Sequence, residues 1–278
     1  MKAKVFGACL AAVTVAAGVL LPATQVAAAN DPGTPTTRVV GGSVVDQTAT
    51  ATPWFALLDV KFRSGRGVCG ASVIDSEWLL TAAHCVKDGR SLASVGGSGA
   101  FINPTTFDDP GERVKFSRIY VHPKFNIRTM RNDLALIRTA TPMETEPIAF
   151  AGSKRSPKKG TALEVFGFGS KSRGHQAVAD VLNSARVLDR AGTKAACGRY
   201  GSSYHRVSML CAGIPSGRSD ACQGDSGGPL TTVAGQRVLV GIVSWGDRCG
   251  SAKYPGVYTR VSTQARFITK VTGVRAVR

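Results

Sequence analysis

Beyond its first thirty residues the chain has no apolar run near the ~20 residues a membrane-spanning helix needs, so the rest is expected to be soluble, with no membrane partner. Aromatic side chains are scarce, at 7%, and do not interleave with the basic ones. That argues against a nucleic-acid platform built on base stacking, and no nucleic-acid partner is expected. Acidic residues are few: 18 Asp and Glu face 35 Lys and Arg, for a formal charge of +17. A surplus of that size attracts polyanions and also serves as solvated basic surface. Its densest cluster, 154–159, lies among Ser, Gly and Pro and reads as a loop. There is no Cys-x-x-Cys pair and no His-Glu-x-x-His segment. Asp108, Asp109 and Glu112 lack a calcium-loop pattern, so no metal and no cofactor are expected.

What is present points to a folded, turn-rich chain. Of 278 residues, 43% are hydrophobic and 19% charged, which excludes a solvating disordered chain. The length suggests roughly two units of ordinary domain size. With 32 glycines and 13 prolines, many short strands are favoured over a helical bundle. Lys2 and Lys4 precede an apolar run from Val5 to Leu21, and small residues end at Ala27-Ala28-Ala29. This is the pattern of a secretory signal over 1–29, cleaved after Ala29. A membrane anchor is the rival reading, but Thr14, two glycines and Pro22 interrupt the run. The protein is therefore expected to be secreted and extracellular, where disulfides persist. Cys9 leaves with the signal; Cys69, Cys85, Cys197, Cys211, Cys222 and Cys249 remain. An even number favours bridges, and spacing alone leaves the pairing open.

Residues 30–38 are polar and end at Arg38, followed by Val39-Val40-Gly41-Gly42. A basic residue before a small apolar pair and two glycines looks like a processing point, which makes 30–38 an activation propeptide. From residue 53 onward, apolar stretches alternate with Gly, Pro, Asn and Asp. Segments 54–62, 69–83, 113–121, 133–140, 162–169, 182–189, 237–246 and 256–261 read as strands. Only 262–274 has helical spacing, with Ser262 or Thr263 as N-cap. No internal repeat is detectable, and a soft boundary falls near 141–160.

Three segments carry chemistry. TAAHC places His84 after an apolar strand, RNDLALI sets Asp133 at the head of another, and DACQGDSGGPL holds Ser226 in a glycine-rich turn. Singly, the first two are ordinary: a polar residue closing a strand, and a cap. Together, in this order, they resemble the trypsin and chymotrypsin family of serine proteases, over Val39 to Val271. The string from Gln223 to Leu230 is the most specific part of that likeness.

The resemblance implies an all-β fold of two antiparallel six-stranded β-barrels, over 39–145 and 146–278, the second ending in a C-terminal helix. The active site would lie between them. It implies His84, Asp133 and Ser226 as triad, the amides of Gly224 and Ser226 as oxyanion hole, and Ser244 as an anchor for Asp133. Asp220, six residues before Ser226, would sit at the base of a pocket with Ala221, Trp245, Gly246 and Gly256, giving cleavage after Arg and Lys. Bridges Cys69–Cys85, Cys197–Cys211 and Cys222–Cys249 follow from the same likeness. So does a zymogen: after a cut behind Arg38, the new amine of Val39 would pair with Asp225. The expected partners are polypeptide substrates and protein inhibitors, with the enzyme a monomer.

The chain also departs from the family. Ala221 stands where many relatives have Ser, and Gly167-Phe168-Gly169 replaces Gly-Trp-Gly. Three bridges, an Ala/Val/Gly-rich composition and no glycosylation sequon suggest a bacterial, actinobacterial source. The stretch 169–175 reads as an exposed loop, where self-cleavage after Lys171 or Arg173 is expected.

Overall fold

The computed structural model describes residues 42–45, 52–89, 91–170, 178–217 and 219–278. The signal segment, Arg38, Val39 and the loop residues Lys171 and Arg173 fall outside these. Six antiparallel strands close a first barrel: β1 (Phe55–Phe62), β2 (Gly65–Asp75), β3 (Trp78–Thr81), β4 (Gly99–Ile102), β5 (Arg113–Val121) and β6 (Ala135–Thr139). Their spatial order is β1-β2-β3-β6-β5-β4, with β4 back against β1. A second barrel is formed by β7 (Ala162–Gly167), β8 (Asn183–Asp189), β9 (Met209–Gly213), β10 (Pro229–Thr232), β11 (Val238–Trp245) and β12 (Gly256–Arg260). Its order is β7-β8-β9-β12-β11-β10, closing on β7. The wiring is the same in both, although no repeat shows in the residues. Closure leaves neither barrel a free edge.

Period-two patterning builds these strands. Along β8, Asn183, Ala185, Val187 and Asp189 are buried while Ser184 and Arg186 face outward. The first barrel fills with Leu58, Val73, Leu79, Leu80 and Leu136, the second with Leu163, Val165, Leu210, Leu230 and Val240. Where the two meet, Trp54 stands edge-on to Phe166 with centroids 5.2 Å apart, and Phe55 packs on Phe168 at 5.9 Å. Phe168 is buried, so the ring that replaces the family's Trp is part of this seam.

Three of the barrel strands escape the sequence reading: β4, β9 and β10. Each is four or five residues long and is paired on both sides, with at least one partner strand far along the chain. The segment 69–83 is two strands rather than one, turned at Ser76-Glu77. The helix α1 spans Val261–Thr272, and its N-cap is Arg260, in extended backbone, rather than Ser262 or Thr263. The Thr263 hydroxyl instead donates to the Arg260 carbonyl at 2.9 Å. Gly273, left-handed, ends the helix by donating to Thr269 O, and Val261, Ala265 and Ile268 bury its inner face.

Candidate active site

The first barrel supplies a histidine and a carboxylate from neighbouring strand ends. β3 is followed by a 3-10 turn at Ala83–Cys85 that carries His84, and Asp133 lies two residues before β6, the strand paired with β3. Asp133 is fully buried. Its Oδ1 accepts from the His84 backbone N–H at 2.9 Å, and its Oδ2 meets His84 Nδ1 at 2.7 Å. Ser244, reaching over from β11, donates to the same Oδ2 at 2.5 Å. A carboxylate only accepts, so it fixes the imidazole proton on Nδ1 and turns the Nε2 lone pair outward. Burial works against a charge on the His84 ring, but the charge and hydrogen bond of Asp133 outweigh it and hold the pKa above 6.5.

The second barrel supplies Ser226, in the turn before β10. The turn is tightly held. The Ser226 carbonyl accepts from Gly70 N–H of β2 at 2.7 Å, and the Gly227 N–H donates to Val243 O at 2.9 Å. The first contact seats the turn on the first barrel, beside the Cys69–Cys85 bridge that also holds the His84 turn. The Ser226 hydroxyl and His84 Nε2 are not hydrogen-bonded to each other. Such contacts are commonly long before substrate binds and tighten afterwards. Gly224 has φ +98°, a conformation that a side chain would strain. Among the described residues, neither the Gly224 nor the Ser226 N–H has an acceptor, so both are free to donate to a ligand.

Below Ser226 lies a pocket of about 250 Å³, lined by Asp220, Ala221, Ser244, Trp245, Gly246 and Gly256 among others. Asp220 is only 2% exposed. Burial pushes its carboxyl up to about 8, against the opposing pull of the Ala221, Gly250 and Gly256 amides. Gly256 is needed for access: a Cβ there would stand 2.5 Å from Asp220 Oδ1. A second carboxyl, Asp225, is fully buried beside Ser226 and accepts from Gly169 N–H at 2.8 Å and Cys222 N–H at 2.7 Å. Burial lifts it to about 6 in spite of these two bonds. Disulfides Cys197–Cys211 and Cys222–Cys249 brace β9 and the pocket wall.

With this geometry in place, the comparisons decide the family. The trypsin family model matches residues 39–268. The chain belongs to the trypsin family of serine proteases. A trypsin of the mite Blomia tropicalis, Blo t 3, is 40% identical over 208 residues, covering 72% of this chain and 75% of that protein. Trypsin delta of Drosophila erecta is 35% identical over 84% of this chain and 88% of its own length. Human serine protease 56 is 37% identical over 81% of the chain, which spans only 37% of that larger protein. Rat transmembrane protease serine 9 is 38% identical, and the chain spans 22% of it. These relatives are animal proteins and lend nothing to a bacterial origin. Among the described residues, no helix is long and apolar enough to cross a membrane.

Two residues of this trypsin-family site were not anticipated from sequence. Tyr258 of β12 is buried with its hydroxyl against Gly256 and Asp220, and that hydroxyl lacks a hydrogen-bond partner among the described residues. Thr259, next to it, donates from Oγ1 to the Asp133 carbonyl at 2.7 Å, tying the second barrel to the carboxylate. Both lie in GVYTR, which reads from sequence as a plain strand; two adjacent polar side chains, one on each face of it, were the one available signal.

Proposed function

We propose that the chain is a secreted trypsin-like serine endopeptidase that cleaves polypeptides after Arg and Lys through an acyl-enzyme, made as a zymogen and activated by cleavage after Arg38. The observation that carries this reading is the buried Asp220 on the floor of a pocket that opens at Ser226. A guanidinium or ammonium entering there finds an acceptor that no cation among the described residues pairs with, and the amide bond following that residue lies over the Ser226 hydroxyl.

The chemistry follows from the proton positions. Ser226 Oγ attacks the carbonyl carbon as its proton passes to His84 Nε2, which Asp133 leaves free to accept. The carbonyl oxygen takes the electron pair and rests on the Gly224 and Ser226 amides, each worth about 3–4 kcal/mol in donors of this kind. The imidazolium then protonates the departing amine. A water, deprotonated by the same Nε2, releases the acyl group and restores the serine. Asp133 holds the tautomer and balances the imidazolium throughout.

Activation uses the other buried carboxylate. Among the described residues Asp225 is held by two amides alone, and a fully buried carboxylate without a counter-ion is costly. The α-amino group of Val39, created by the cut, would enter as that counter-ion and draw Gly224 into line. Arg38 matches the proposed specificity, so the cut could be made by another copy of the enzyme. The resulting enzyme acts as a monomer and is a target for protein inhibitors.

Hydrolysis of an Arg-terminated chromogenic amide, blocked by a serine-directed fluorophosphonate, tests the enzyme assignment; no turnover by the form beginning at Val39 overturns it. An Arg38→Gln precursor tests activation separately. Full activity without the cut would remove the zymogen step and leave the protease reading intact.

A further inference from the structure

A second concavity lies away from the active site. It is a groove of about 920 Å³ and shares no lining residue with the pocket under Ser226. One wall is the outer face of α1, which presents Thr263, Arg266, Thr269 and Lys270. The other is the turn Gly152–Ser156 together with the tail at Ala276–Arg278. The tail is fixed there: it pairs in parallel at Ala151 and Val277, and Gly152 N–H donates to Val277 O at 2.9 Å. Arg260 closes one end, with its guanidinium bonded to Ser156 Oγ at 2.5 Å and Met209 O at 2.9 Å.

The charge in this groove is one-sided. Lys154, Arg260, Arg266, Lys270 and Arg278 line it, and no Asp or Glu side chain does. Lys154, Arg266 and Lys270 are exposed, and none of them forms an ion pair among the described residues. Arg266 and Lys270 stand at i and i+4 on one helix face, a like-charge arrangement that weakens a helix rather than supporting it. Some cations elsewhere are neutralised locally, Arg66 and Arg113 on Asp59, Arg138 on Glu77 and Arg237 on Glu164, whereas this groove gathers five cations with no acidic side chain among its lining residues.

The rest of the lining narrows the occupant. It contains no aromatic ring on which a base could stack, which disfavours single-stranded nucleic acid. Its only apolar side chains are Ala265 and Ala276, so it offers no socket for the anchor residue of a peptide. What remains is cations interspersed with the hydroxyls of Ser153, Ser156 and Thr269. Sulfate and carboxylate groups along a sugar chain match that set, with cations as counter-ions and hydroxyls as donors. We infer that this groove binds a linear sulfated polysaccharide, which holds the protein on an acidic polysaccharide matrix while leaving the pocket under Ser226 open.

The test uses heparin as probe and the full chain. A groove variant, Lys154→Glu/Arg266→Glu/Lys270→Glu, is compared with Arg63→Glu/Lys115→Glu/Lys124→Glu, which makes the same charge change at exposed positions on the first barrel. The groove variant should lose at least about tenfold in heparin affinity near physiological salt, and its dependence on salt should flatten by about one counter-ion per cation removed. The first-barrel variant should stay close to the parent. A neutral set, Lys154→Gln/Arg266→Gln/Lys270→Gln, checks the result if charge reversal disturbs folding, and turnover of a small Arg amide should be the same in all. Equal losses in the two reversed variants would reduce the effect to net charge and overturn the proposal. Competition by polyglutamate or by oligothymidine as strong as by heparin at matched charge would overturn the ligand class.

Discussion

The two barrels share one strand order and each contributes buried acid to the site, but they treat it differently. Asp133, from the first barrel, accepts from both the backbone and the ring of His84 and from the Ser244 hydroxyl. Asp220 and Asp225, from the second, accept from backbone amides, and among the described residues no cation pairs with either. Burial accordingly pushes these two up, to about 8 and about 6. The contrast separates a finished interaction from two receptive ones. The protein completes the network around its base internally, whereas the second barrel keeps carboxyls whose counter-ions come from elsewhere: substrate for one and, on the proposed mechanism, the Val39 amine for the other.

The sharpest way to break the comparison is at its finished end. Asp133→Asn keeps the shape but presents an N–H toward His84 Nδ1, which forces the proton to Nε2 and leaves the ring unable to accept from Ser226. The turnover number should fall by about 10⁴ with little change in KM, since substrate does not touch this carboxylate. Steady-state kinetics on an Arg amide, with a structure of the variant to show the fold intact, settles it; a loss below tenfold would mean that tautomer control is not its role. The receptive end should respond in the other parameter. Asp220→Asn removes the charge that a bound guanidinium faces, a loss of about 2–5 kcal/mol in a buried pair. It should cost roughly 10²–10³ in kcat/KM for Arg substrates while fluorophosphonate labelling of Ser226 persists. Equal loss of labelling would place Asp220 in the catalytic machinery instead.

Legibility in the sequence followed the same divide between local and long-range. The stretch 223–230 makes its turn from adjacent residues, so its glycines and Ser226 can be read in order. The two-barrel architecture came through the family likeness, not through periodicity. β4, β9 and β10 each pair on at least one side with a strand far along the chain, and a window of four or five residues holds no trace of that partner. Tyr258 and Thr259 went unnoticed for a related reason: what distinguishes them is contact with Asp220 and Asp133, more than thirty residues away in each case. The shared wiring of the barrels is equally silent, because it resides in pairing order rather than in matched residues.

A third experiment sharpens the contrast through pH. If Asp220 is protonated below about 8 in the open pocket, a small amidine must displace that proton to pair with it. Its affinity should rise with pH by up to about tenfold per unit until near 8, then level off, with about one proton released per molecule bound at pH 6. Calorimetry in buffers of different ionisation enthalpy measures that proton directly; a pH-independent affinity would show the carboxyl already ionised. The stability sign follows from the same shifts. Both acids have folded pKa values raised above the unfolded one, so their contribution is complete below the unfolded carboxylate range and is lost as pH climbs through about 6 and about 8. His84, also raised, adds a loss of the same sign above 6.5. Catalysis runs the other way, because Nε2 must be unprotonated to accept, so the acid limb of the rate profile should lie above 6.5.

The smallest effect is expected at Ala221, where the receptive pocket differs by one hydroxyl from many of its relatives. A guanidinium carries five donors in a planar fork and can reach Asp220 with two of them. A lysine ammonium is shorter and depends on an intervening water and a neighbouring hydroxyl to make up the distance. Ala221 lines the pocket beside Asp220 with a methyl group, and its backbone N–H is already given to Asp220 Oδ1 at 2.9 Å. The Tyr258 hydroxyl is buried against Gly256 and Asp220. Arg substrates should therefore be preferred over matched Lys substrates. Ala221→Ser, adding one acceptor worth about 1 kcal/mol, should narrow that preference by roughly fivefold, mainly by improving kcat/KM for Lys. Paired specificity constants on two peptides differing only in that residue read the change. A ratio that stays put after the substitution would mean that Asp220 and water alone serve both side chains, and that the pocket discriminates by shape rather than by the hydroxyl it lacks.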